Sequence, residues 1–214
     1  MGLHDGGVEL SWAAPNDGGA PITSYVIMPS IGCVAQPSIT TPTGATTFDV
    51  TGLTNGTAHT FTVAATNVAG TGPASAASGP LTPAKAPDAP TGVTGTPGNG
   101  KVSLTWTAPA GDGSAPVTGY AITSYVGDTA SSVVESTGTG TTFEVTGLTN
   151  GTTYTFTVAA INAAGTGAAS ARSEAVTPRT TPGTPTGVTA TGFDKSVGLS
   201  WTAPGDGGAP ITSY

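Results

Sequence analysis

Apolar and polar residues alternate with a period of two along much of the chain. Val102, Leu104 and Trp106 alternate with Ser103 and Thr105, and Tyr154, Phe156, Val158 and Ala160 alternate with Thr155, Thr157 and Ala159. Such spacing gives a segment one apolar face and one largely hydroxyl-bearing face, the pattern of a strand with one buried side. Turn residues punctuate the runs: Asn99-Gly100, Asp112-Gly113, Gly138 with Gly140, Asn150-Gly151 and Gly165-Thr166-Gly167. About seven short strands within roughly 95 residues predict a two-sheet, all-β sandwich.

The pattern repeats. Trp12, Trp106 and Trp201 lie 94 and 95 residues apart, in the settings VELSW, VSLTW and VGLSW. Behind each Trp comes an Ala-Pro loop and a Tyr: APNDGGAPITSY, APAGDGSAPVTGY and APGDGGAPITSY. The stretch TTFDVTGLTNGTAHTFTVAATNVAGTG at 46–72 matches TTFEVTGLTNGTTYTFTVAAINAAGTG at 141–167. Overlay of the copies predicts one complete repeat at 86–180, a first repeat at 1–85 that begins about one strand late, and the start of a third at 181–214. A fragment as short as the third is below the size at which a lone core usually holds. The chain is therefore expected to be a segment of a longer array or a reading frame clipped at both ends, so the absence of a secretion signal at its start carries little weight.

Composition narrows the fold class. With 33 Gly and 18 Pro in 214 residues, long helices are excluded, because each such residue in a helix interior costs about 1 or 3 kcal/mol respectively. Disorder is also excluded, since 36% of residues are hydrophobic and three Trp, five Tyr and five Phe are available for cores. Charge restricts the partners. The net charge is −7, and the five basic residues Lys85, Lys101, Arg172, Arg179 and Lys195 are scattered. Nucleic acids and anionic membranes are bound by clustered cations, so both are excluded as partners. No apolar run is long enough for membrane insertion. A single cysteine, Cys33, rules out an intrachain disulfide and a zinc site built on cysteine pairs.

The Ala-Pro opening, L-x-W, Pro-I/V-T-x-Y, GLTNGTTYTFTVAAINAAG and the closing VTP together resemble a fibronectin type III domain of the Thr- and Gly-rich kind found in bacterial secreted proteins. The resemblance covers essentially the whole chain and implies tandem immunoglobulin-like sandwiches, with seven strands in the complete repeat. It implies a structural core of Trp12, Tyr25, Phe61, Trp106, Tyr120, Tyr154, Phe156 and Trp201. Tyr154 occupies the place of the family's tyrosine corner, its hydroxyl returning to backbone near the turn from Leu148 to Gly151. His59 stands there in the first repeat; it is expected to keep one hydrogen bond but to lose ring volume, making that repeat less stable. The cysteine pair that flanks the Trp of a true immunoglobulin domain is absent.

The candidate chemistry is sparse. Asp17, Asp112 and Asp206 recur in one loop, each alone beside Gly, which reads as turn chemistry rather than calcium or catalysis. Glu135, Glu144 and Glu174 are single acids, without the paired carboxylate that glycoside hydrolysis needs. Asn55-Gly-Thr57 and Asn150-Gly-Thr152 fit a glycosylation sequon but also a tight turn. Cys33 reads as a free thiol, and His4 and His59 are too isolated for a metal pair. The NAAGTG loop at 162–167 holds no Arg-Gly-Asp, so the integrin binding of some animal family members does not carry over. Tyr125 is the one aromatic placed to stack on a sugar. No catalytic, metal or cofactor site is assigned.

The linkers at 82–92 and 177–187 are Pro-rich and expected to be extended, stringing domains like beads. The open edge of the first repeat and the equivalent strand at Thr186 to Thr191 also permit strand addition between chains. The resemblance then implies a non-catalytic spacer or interaction module of an extracellular or cell-surface protein, partnered by neighbouring domains. Two alternatives stand beside it: an accessory module of a secreted polysaccharide-degrading enzyme with weak contact to polysaccharide or cell wall, and a protein adhesion module.

Overall fold

The alternating segments become strands, and their short Gly-rich connections become turns. The computed structural model describes residues 2–214. The described residues contain no helix and fall into two compact units. One comprises the chain up to Asp88 with residues 111–117 and 161–167; the other comprises residues 89–110, 118–160 and 168–214.

The first unit holds strands β1 (Leu3–His4), β2 (Gly7–Ser11), β3 (Ser24–Ile31), β4 (Val34–Ala35), β5 (Ile39–Thr40), β6 (Thr47–Thr51), β7 (His59–Asn67) and β8 (Gly70–Thr71). They form two sheets, β1-β2-β6 and β4-β3-β7-β8, with β5 also paired to β3. Val8, Leu10, Ile27, Val50 and Phe61 close the core between them. A two-residue stub stands where the sequence suggests a missing strand: the Asp5-Gly6 turn, with Gly6 at φ 64°, folds Leu3 and His4 back onto Val8 and Gly7.

The complete repeat has the seven strands the resemblance implies: β9 (Thr91–Gly98), β10 (Lys101–Thr107), β11 (Gly119–Val126), β12 (Thr129–Thr137), β13 (Thr142–Thr146), β14 (Thr155–Asn162) and β15 (Gly165–Ala169). Its sheets run β13-β10-β9 and β12-β11-β14-β15. Burial on β10 alternates as the sequence predicts, with Val102, Leu104 and Trp106 inside and Ser103 and Thr105 outside. On β14 it does not: Thr157 and Ala159 are buried as well. This strand lies between β11 and β15, and the Tyr125 hydroxyl of β11 comes within 3.5 Å of the Thr157 hydroxyl, so its outer face is covered by neighbouring side chains.

Beyond β15 the chain is irregular, and two buried serines replace strand pairing. Ser170 and Ser173 each bond a β14 residue twice: the backbone N–H of each donates to the carbonyl of Val158 or Phe156, and its Oγ accepts the N–H of the same residue at 3.0 or 3.1 Å. Ser75 and Ser78 do the same for Val63 and Phe61 in the first repeat. These serines carry no period-two signal; only their recurrence as S-x-x-S in both copies marks them.

The final strands, β16 (Thr186–Phe193) and β17 (Ser196–Thr202), make a hairpin whose residues are all exposed. Here the core expectation needs correction: Trp201 is 40% exposed, because no second sheet covers the hairpin. Of the other expected core residues, Tyr25, Phe61, Trp106, Tyr120, Tyr154 and Phe156 are buried, while Trp12 is half-buried. Each Trp meets its Tyr edge-on, with centroids at 5.1 Å for Trp12 and Tyr25, 5.0 Å for Trp106 and Tyr120, and 5.1 Å for Trp201 and Tyr214.

The Tyr154 hydroxyl accepts the Thr149 backbone N–H at 3.1 Å, closing the corner. His59 departs from expectation: it is buried, yet neither ring nitrogen has a hydrogen-bond partner. The shorter ring does not regain the bond that a phenol reaches, and an unpaired buried polar group costs about 1–3 kcal/mol. His59→Tyr, with its hydroxyl reaching the N–H of Thr54, the counterpart of Thr149, should therefore stabilise the first repeat by about 1–2 kcal/mol. A urea midpoint that does not rise would refute this account of the corner.

Candidate functional site

The recurring aspartates are turn elements. Asp17, Asp112 and Asp206 each accept, through Oδ1, the backbone N–H two residues ahead at 2.9 Å. No group of three His, Cys, Asp or Glu side chains converges among the described residues. Glu135 and Glu174 are exposed, and Glu144 pairs with Lys101 across 2.7 Å at the surface. The sequon asparagines hold turns together: Asn55 Oδ1 accepts the Gly6 N–H and Asn150 Oδ1 the Gly100 N–H, both at 2.8 Å. Their amide groups donate in turn to Asp5 and Asn99. Cys33 is exposed in the turn between β3 and β4.

Tyr125 is half-buried on β11, and the Arg172 guanidinium lies over its ring, 4.1 Å from the centroid. Arg172 Nη1 also donates to the Gly127 carbonyl at 3.0 Å and to Asp128 Oδ1 at 3.1 Å. A pyranose stacking on the same ring face has to displace this cation, whose attraction to the ring is worth about 0.5–1 kcal/mol at an exposed site. Nothing in the sequence pattern pairs Arg172, in the irregular segment beyond β15, with Tyr125 on β11, because the two segments meet only through the fold.

The most built local structure surrounds the linkers. Lys85 and Asp88 donate their backbone N–H to the carbonyls of Gly113 and Gly111, both at 2.9 Å. The next linker repeats the pairing: Thr180 N–H reaches the Gly207 carbonyl at 2.8 Å and Gly183 N–H the Gly205 carbonyl at 3.0 Å. Gly113 and Gly207, at φ 76° and 70°, lie so close to linker carbonyls that a side chain would not fit. In the complete repeat the buried Asn162 completes the arrangement, its Nδ2 donating to Asp112 O at 2.7 Å and to Lys85 O at 2.8 Å. Sequence reasoning singled out this loop only for the motif it lacks; the signal for Asn162 was its recurrence at Asn67.

The first repeat has an open groove of about 630 Å³ at the corresponding place, walled by Trp12, Asp17, Gly18, Asn67 and Gly72. Its lining is mostly apolar.

Comparison with known proteins agrees with this architecture. The profile of the fibronectin type III domain matches residues 3–79 and 88–176. The chain is 35% identical over 189 residues to chitinase A1 of Niallia circulans, covering 84% of this chain and 24% of that protein. It is 35% identical over 190 residues to endoglucanase B of Cellulomonas fimi, covering 84% of this chain and 17% of that protein. It is 36% identical over 183 residues to exoglucanase B of the same species, covering 81% and 16%. The chain thus spans a quarter or less of the length of these relatives. Among solved structures, the FN1–FN3 domains of chicken CNTN1 align with a TM-score of 0.61 at 19% identity, over 84% of this chain and 65% of that one. A multi-domain segment of titin aligns with a TM-score of 0.55 at 23% identity, over 82% and 61%. With two tandem matches, the seven-strand sandwich and the tyrosine corner in place, this chain belongs to the fibronectin type III family.

Proposed function

We propose that the chain is a non-catalytic spacer module of a longer, secreted bacterial polysaccharide-degrading enzyme, holding neighbouring domains apart. The similarity to a chitinase and two glucanases, over a small share of each, is the observation that carries this reading. The side chains support it: Asp17, Asp112 and Asp206 hold turns, Glu144 pairs with Lys101 at the surface, and no group of three His, Cys, Asp or Glu side chains converges among the described residues. On this reading the repeats lie outside the cell, at domain boundaries near 85 and 180, and bind polysaccharide weakly or not at all.

A pull-down of the chain on cellulose, chitin and purified cell wall tests it. A spacer stays in the supernatant with all three. Retention on any of them overturns the reading in favour of an accessory binding module, and loss of that retention in Tyr125→Ala would place the contact at the Arg172-covered ring.

A further inference from the structure

Asparagine stands directly before glycine at Asn55-Gly56, Asn99-Gly100 and Asn150-Gly151. Glycine has no side chain to screen its nitrogen, so in such a pair the backbone N–H can attack the preceding carboxamide, the chemistry that makes asparagine thermolabile. As sequence the three pairs are alike, but the fold holds them differently. Asn55 and Asn150 are half-buried, and each carboxamide is held at both ends. Asn55 Oδ1 accepts the Gly6 N–H at 2.8 Å and its Nδ2 donates to Asp5 Oδ1 at 2.7 Å. Asn150 Oδ1 accepts the Gly100 N–H and its Nδ2 donates to Asn99 Oδ1, both at 2.8 Å. The N–H groups that would attack them, those of Gly56 and Gly151, donate to the backbone carbonyls of Pro83 and Pro178 at 2.9 Å. Asn99 is exposed in the two-residue turn between β9 and β10, and its Nδ2 has no protein partner among the described residues. Its attacking group, the Gly100 N–H, is held by a side-chain oxygen that one rotation of Asn150 withdraws. The turn also accepts the acid form. Asp5 stands at the matching place in the first repeat and bonds Asn55 as Asn99 bonds Asn150, with Gly6 and Gly100 at φ 64° and 63°. In the last repeat the matching pair is Asp194 and Lys195, the latter at φ 57°.

We propose that Asn99 is a site of spontaneous modification, deamidating in the folded chain while Asn55 and Asn150 are preserved. The Gly100 nitrogen gives up its proton to solvent and attacks Asn99 Cγ; the bond from Cγ to Nδ2 breaks, ammonia leaves, and a five-membered succinimide remains. Water then opens the ring at one of its two carbonyls, and no other reactant is needed. Cleavage of the new Cγ–N bond leaves aspartate on an intact backbone. That product keeps an acceptor for Asn150 Nδ2, as Asp5 does for Asn55. Cleavage of the original peptide bond leaves isoaspartate, whose main chain runs through the side chain, so the acceptor is withdrawn and the β9–β10 turn is lengthened by one carbon. Either product adds a negative charge to an already acidic chain. Asn150 acts here as a positioning residue: it holds the Gly100 N–H away from Asn99 Cγ and slows the attack.

Peptide mass spectrometry of the full chain, aged in mildly alkaline buffer with and without urea, tests this. In urea the three asparagines should convert at similar rates, because their immediate sequences are alike. In native buffer Asn99 should convert about tenfold faster than Asn55 or Asn150, each of which has one more held bond to break. Enzymatic methylation of isoaspartate should label the peptide that ends at Lys101 and leave the other two unlabelled. Asn150→Ala should quicken conversion at Asn99 in native buffer, under conditions where slow N–H exchange in β14 shows the repeat still folded. Asn99→Asp should unfold at the urea midpoint of the parent. Equal native rates at the three sites overturn the proposal, as does an Asn99 that the fold protects as fully as Asn55. An Asn99 rate that Asn150→Ala leaves unchanged overturns the positioning role, and a lowered midpoint in Asn99→Asp overturns the claim that the turn accepts the acid.

Discussion

Replacing Trp106 with alanine should abolish cooperative unfolding of the complete repeat at moderate denaturant. The side chain is 6% exposed, packs edge-on to Tyr120 at 5.0 Å, and lies on the inner face of β10 beside Val102 and Leu104. Truncating a buried Trp removes its transfer free energy and leaves a cavity that rigid sheets fill poorly, a loss of about 3–5 kcal/mol. A domain of this size has about 5–15 kcal/mol in all, so the loss takes most of the margin. Trp12→Ala should cost less, because the indole of the first repeat already faces the open groove. Urea unfolding followed by near-ultraviolet circular dichroism checks both. A Trp106→Ala chain that melts like the parent would remove Trp106 from the centre of the core.

Asn162→Ala should be the next most damaging change. The side chain is 5% exposed, and its carboxamide donates to Asp112 O and Lys85 O while Oδ1 accepts the Ala164 N–H at 2.8 Å. A net value near 1 kcal/mol for each bond, with the added cost of carbonyls left unpaired, gives about 2–3 kcal/mol. The damage should be local. Backbone N–H exchange should quicken at Lys85 and Asp88, which bond the same loop, and remain slow in β10. Asn67→Ala is the internal control: Asn67 holds the equivalent loop but no linker, so its loss should be smaller. Equal losses at the two positions would show that the Lys85 contact contributes nothing.

Legibility in the sequence followed the range of the signal. The strands of the complete repeat were readable because alternation and turn residues are local, and β10 shows the predicted burial residue by residue. The tyrosine corner was readable through the family resemblance, since Tyr154 and Thr149 are only five residues apart. Contacts between distant segments were not. The Arg172 and Tyr125 pair, Asn162 with Lys85, and the buried serines 170 and 173 each join segments that no periodicity relates. Exposure of Trp201 was missed for the same reason: its local motif is that of Trp106, and only the missing second sheet distinguishes them.

By itself the sequence determined an all-β chain of recurring sandwiches, because period-two alternation, Gly-Asn turns and a scarcity of charge leave few other ways to bury apolar surface. It also determined which side chains are interchangeable between copies. Tertiary structure alone decided what each copy does with them. Gly18 and Gly113, Asn67 and Asn162, and Val188 and Val93 occupy matching positions in their repeats, yet one of each pair is left open and the other is covered. Burial depends on what a strand is packed against, and that is supplied by residues far along the chain.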